Sequence, residues 1–132
     1  MIRDIGLLVL RLGIGCSMAF GHGLDKMNRV LAGNFEFGDP IGLGPMASLI
    51  LAALAEFVCS LAVAVGLWTR FTAIPPFVTM AAAAIIVHAD DPWGRKELAV
   101  VYLIAFGALI LTGGGRFAVE SVWSKAKGKR RK

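Results

Sequence analysis

Residues 46–67 read MASLILAALAEFVCSLAVAVGL. A membrane helix needs roughly 17–25 mostly apolar residues, and this run qualifies with one charge, Glu56, near its middle. Ser48, Ala52, Ala55, Cys59, Ala62 and Gly66 recur every three or four positions, which predicts a continuous face of small side chains on a helix. Such faces let membrane helices approach closely and gain dispersion contacts that lipid does not offer. On this reading Cys59 is a packing residue, as is Cys16, and neither needs redox chemistry.

Working outward, apolar stretches also cover about 5–21, interrupted by Arg11, and about 73–89 and 97–112. The expectation is an all-α integral membrane four-helix bundle, up-down-up-down, occupying residues 1–122, with a basic tail at 123–132. Composition agrees with lipid as the main solvent. The 132 residues are 57% hydrophobic and 17% charged, with a mean hydropathy of +0.71. Soluble domains run near a quarter charged and about half apolar, and disordered chains are poor in apolar residues.

The net charge of +5 raises nucleic acid as a partner, which requires a basic stripe on a folded surface. Mapping the charges gives orientation instead. With the N-terminus in the cytoplasm, Arg3, Arg70, Arg116 and the tail residues Lys125, Lys127, Lys129, Arg130, Arg131 and Lys132 share one side. Lys26, Arg29, Arg95 and Lys96 fall on the other, among Asp25, Glu36, Asp39, Asp90, Asp91 and Glu97. Basic residues favour cytoplasmic connections, so both termini are expected to be cytoplasmic and no nucleic acid is needed. The tail should also attract anionic lipid headgroups, at about 1 kcal/mol per basic residue near the surface. Arg11 and the lack of an A-x-A-like site mark the first stretch as a retained helix, not a cleaved signal.

Residues 68–72 predict a tight hairpin, with Thr72 capping the third helix and Pro75 and Pro76 in its first turn. The connection over 21–45 is longer, and 24–31 has the character of a short interfacial helix.

Polar residues inside the spans carry the functional reading. Glu56 is costly in the bilayer and requires a partner. Arg11 is the expected one, at roughly 10 Å depth against roughly 18 Å for Glu56. Two readings stay open: a structural ion pair that fixes register, or a proton or ligand site at Glu56 tuned by Arg11. Asp4, Arg11, Gly15, Met18, His22 and Lys26 fall within about 60° on a helix and form a seam that must face other helices. At the outer end His22 closes the first helix, His88 the third, and Glu97 opens the fourth, with Lys26 and Asp90 or Asp91 nearby. These groups read either as interfacial caps or as a ligand pocket. No metal is expected, because no helix carries two ligands at i, i+4 spacing. No phosphate loop, dinucleotide fingerprint or nucleophile elbow is present, so no catalytic residue is assigned.

Leu10-Arg11-Leu12 with Gly15, Phe20-Gly21-His22-Gly23 with Lys26, Ala55-Glu56, Gly66-Leu67-Trp68-Thr69-Arg70, His88, Glu97 and Gly113-Gly114-Gly115-Arg116-Phe117 together resemble the DoxX family of small bacterial four-span membrane proteins. The likeness extends in order over residues 7–120, departing at Phe57-Val58 and Gly114. It implies a multi-pass protein of the bacterial cytoplasmic (plasma) membrane, acting as a subunit or anchor of a redox complex. One branch of the family is similar to a quinone-reducing partner in thiosulfate oxidation. Another looks like a scaffold joining sulfur-handling and superoxide-detoxifying enzymes. The resulting expectation is a quinone, or another small apolar ligand, bound near the outer face by His22, Lys26, Glu56, His88 and Glu97. The alternatives are a non-enzymatic assembly factor and, if the chain forms a homo-oligomer, a small transporter or proton conductor.

Overall fold

The structure is a computed structural model and describes residues 1–129; Arg130, Arg131 and Lys132 of the basic tail lie outside the described residues. Helices α1 (Ile2–Leu31), α2 (Pro45–Val65) and α3 (Thr69–Val87) are each long and apolar enough to cross a membrane. They are followed by α4 (Trp93–Thr112) and α5 (Val119–Lys129). No strand occurs among the described residues. Helix α4 has 20 residues, but Arg95, Lys96 and Glu97 occupy its early turns and shorten its apolar run. It therefore stands apart from the three membrane-length helices.

Local chemistry sets the helix ends. Gly44 at φ 93° precedes Pro45, whose missing N–H is harmless in the first turn of α2. Gly66 closes α2 in the left-handed region at φ 81°, its amide bonding back to the carbonyls of Ala62 and Val63. Trp68, at φ 46°, is the one non-glycine residue with positive φ among the described residues, and it turns the chain into α3. Thr72 does not cap α3. The helix already begins at Thr69, so the Thr72 hydroxyl donates back to the carbonyls of Leu67 and Trp68 at 3.0 and 3.2 Å. Helix α1 also runs further than 21, absorbing the segment expected as a separate interfacial helix. Helix α5 crosses the boundary drawn between domain and tail at residue 122.

Helix α2 is the most enclosed: 50% of its apolar window is buried, against 28% for α1 and 17% for α3. It packs along α1 in the opposite sense. A Cβ on Gly15 would lie 2.6 Å from the Ser60 carbonyl oxygen, and one on Gly23 would lie 2.6 Å from that of Glu56. Glycine is thus required at both crossings. The small face of α2 begins as expected at Ser48, Ala52 and Ala55, then continues through Glu56, Ser60, Val63 and Ala64 and not through Cys59 and Ala62. The cause is a widened turn over Leu54–Cys59 with i→i+5 hydrogen bonding. That turn inserts one residue and rotates everything after it.

Helix α4 packs against α1 and α3. Met18, Leu49, Val63, Phe106 and Leu109 are fully enclosed, whereas Val9, Ile85, Ile104 and Leu111 are all more than 60% exposed. Large apolar side chains facing outward over whole helix faces match a lipid surround.

Candidate ligand cavity between the helices

A cavity of about 650 Å³ opens between α2 and α3 and reaches α1 and α4. It lies at the end where α1 passes into the 32–44 connector, which contributes Phe37, Pro40 and Ile41 to its wall. Most of the lining is aliphatic. Its polar groups are His22 and Lys26 from α1, Ser48 and Glu56 from α2, Thr79 and His88 from α3 and its end, and Arg95 and Tyr102 from α4.

Three widened turns surround this cavity. His22 lies within the turn Ala19–Gly23, Glu56 within Leu54–Cys59, and His88 directly follows Ala83–Val87, its amide bonded to the Ala83 carbonyl at 2.9 Å. Such turns leave the regular ladder locally strained and recur at functional sites. In this chain they aim one polar residue from each of three helices at a common volume.

At the floor, Lys26 Nζ donates to Glu56 Oε2 at 2.6 Å, with the side chains 19% and 4% exposed. This corrects the expected Arg11–Glu56 pair. Glu56 packs beside Gly23, and Arg11 lies twelve residues, or roughly 18 Å, further back along α1. Lys26 is a single turn away. Arg11 is fully buried and instead donates Nη1 to the carbonyls of Ala64 and Val63, at 2.9 and 3.4 Å. These carbonyls belong to the last turn of α2, where the helix dipole favours a cation.

On the α4 side, the His22 ring meets Tyr102 edge to face, with centroids 5.6 Å apart at 85°, and Tyr102 stacks on Phe106. At the rim, His88 Nδ1 and Asp91 Oδ2 are 2.7 Å apart and Arg95 Nη1 is 3.8 Å from Asp91 Oδ1. The His88 hydrogen bond, with help from the Arg95 charge, holds the Asp91 carboxyl below its ordinary range. With a carboxylate on Nδ1–H, the neutral imidazole keeps Nε2 as its acceptor.

Four of the five expected ligand residues, His22, Lys26, Glu56 and His88, therefore share the cavity. Glu97 does not. Because α4 begins at Trp93, Glu97 lies inside the helix, exposed on the side opposite Arg95, Leu98, Ala99 and Tyr102. Tyr102, Arg95 and the connector residues escaped the sequence reading. Tyr102 carried a usable signal: it is the only tyrosine in the chain and stands in an otherwise apolar run. Among the described residues no three His, Cys, Asp or Glu side chains gather as a metal-ligand group.

No curated protein and no solved structure matches the chain. The DoxX family model matches residues 6–89, a segment holding the seam of α1 from Arg11 onward, the ion pair with Glu56, all three widened turns and His88, and the chain belongs to the DoxX family.

Proposed function

We propose that this protein is a four-span membrane subunit or anchor of a redox complex in a bacterial cytoplasmic membrane, with both termini cytoplasmic. We further propose that its cavity binds a small apolar molecule with a polar head, of the quinone type. The observation that carries this reading is the cavity itself: a volume within the ordinary range for small ligands, largely aliphatic, with its polar groups converging from four helices.

The residues suit a quinone head. Lys26 and Tyr102 supply donors for a ring carbonyl. His88, held on Nδ1 by Asp91, offers Nε2 to a ring hydroxyl. The aliphatic walls of α2 and α3 suit an isoprenoid tail, and Leu51 and Val78 line the opening while half exposed on the lipid-facing surface. Bound quinone would supply two-electron chemistry; the chain's own part is to orient the ring, exclude water and hold protons at His88 and Glu56.

Purification in native lipid, followed by mass spectrometry of the extract, tests the reading. Wild type should carry quinone at near-stoichiometric levels; His88→Ala should lower it about tenfold, the effect of one lost hydrogen bond to a charged or polarised group, and His22→Ala should also lower it by removing the ring packed on Tyr102. Quinone absent from wild type would remove ligand binding and leave the scaffold reading.

A further inference from the structure

At the end of the molecule opposite the cavity, a cleft of about 390 Å³ lies between the first turn of α1, the glycine run after α4, and α5. Arg3, Arg116 and Lys125 line it from three separate segments, and all three are exposed. Two acids share the lining, and both have other work. Asp4 accepts the Arg116 backbone amide at 3.1 Å, and Glu120 is the carboxylate whose charge acts on the buried Arg11. None of the three cations is held in a close ion pair among the described residues. The amides of Gly114 and Gly115, on the cleft wall, also make no hydrogen bond there. Basic side chains beside unsatisfied amides form an anion cradle.

The surroundings decide which anion. On helix α5, Ser121, Ser124 and Lys125 line the cleft, while Val119 faces away from it and Val122 flanks it, 45% and 62% exposed. Phe117 beside them is 46% exposed. Exposed apolar side chains beside a basic cleft suit the membrane interface, where they reach the acyl boundary while the cations stay at headgroup level. The cleft also sits where α1 begins and α4 ends, the level at which their apolar runs meet water. A soluble anion would use the cations and leave the apolar shoulder idle.

We propose that this cleft seats the headgroup of one anionic phospholipid, its phosphate held by Arg3, Arg116 and Lys125 and its acyl chains lying along the Phe117, Val119 and Val122 shoulder. The site is distinct from the diffuse attraction expected of the basic tail. It is also independent of the quinone reading, because it lies at the other end of the fold.

Native mass spectrometry of the full chain, purified in a mixture of phosphatidylglycerol and phosphatidylcholine, tests it. Wild type should retain one phosphatidylglycerol and no phosphatidylcholine. Arg3→Gln with Arg116→Gln should lower that retention about tenfold or more, from the loss of two near-surface charges. Neutralising Lys129, Arg130, Arg131 and Lys132 to Gln should leave it intact. Lys125→Glu, on an exposed helix face, should reproduce the loss and serves as the deciding variant where the double substitution unfolds. Equal retention of both lipids, undiminished retention in Lys125→Glu, loss on neutralising residues 129–132, or release by inorganic phosphate would each overturn the assignment.

Discussion

Lys26 and Glu56 differ in what each leaves behind when its partner is removed. Glu56 is almost fully enclosed, whereas Lys26 keeps part of its side chain open to the connector and has a long stem that can carry its charge outward. Lys26→Met should therefore cost about 3 kcal/mol, as expected when one partner of a buried pair is deleted. Glu56→Gln should cost less, about 1–2 kcal/mol, because the ammonium can relocate to the interface. The double variant should be no less stable than Glu56→Gln alone. Unfolding in detergent measures all three, and strictly additive losses would show that the contact contributes nothing. At this scale much was legible: a carboxylate in an apolar span needs a cation, and two histidines at matching depth suggest a shared volume. The identity of the cation was not. It depends on the register between α1 and α2, which is set by the close approaches at Gly15 and Gly23 and not by the depth of either residue alone.

Among the elements, α2 shows why helical periodicity read from sequence drifts out of phase. Its small face is correctly placed up to Ala55 and again at Gly66, but wrongly at Cys59 and Ala62, because the wide turn adds one residue that no composition rule announces. His22 lies inside a helix for a different reason: α1 continues without a break through Leu31. Glycines separate the structural roles. Gly23 meets the α2 backbone at the level of two wide turns, whereas Gly21 has open space where a Cβ would go. Gly23→Ala should cost about 1–3 kcal/mol through overpacking and reduce ligand retention by forcing α1 away from Glu56. Gly21→Ala should instead be neutral or stabilising by up to about 1 kcal/mol, from helix propensity. Thermal unfolding of the matched pair checks this, and equal behaviour would mean that the crossing is looser than drawn.

For the whole molecule, the apolar runs made an all-helical membrane protein readable from composition alone. The ends of α4 were harder, since the charges of its early turns belong to the helix and not to the loop before it. Orientation rests on the distribution of Lys and Arg, which a fusion experiment can check. A reporter joined after Lys132 should read as cytoplasmic, and one inserted near Gly38 in the connector should read as extracytoplasmic. The reverse pair of signals would invert the proposed topology and move the cavity to the cytoplasmic leaflet.

The three wide turns lie around one volume, and two of them interrupt the regular ladder of α1 and α2 at the same level. In α1 and α2 each extra residue rotates the stretch beyond it by about 100° relative to an unbroken ladder, whereas in α3 the wide turn is the last of the helix and α4 has none. Helices α1 and α2 are thus phased as two storeys around one shared core, and the joint between the storeys is where His22 and Glu56 stand. A one-residue insertion or deletion at the joint would dephase one storey against the other without changing a single core side chain.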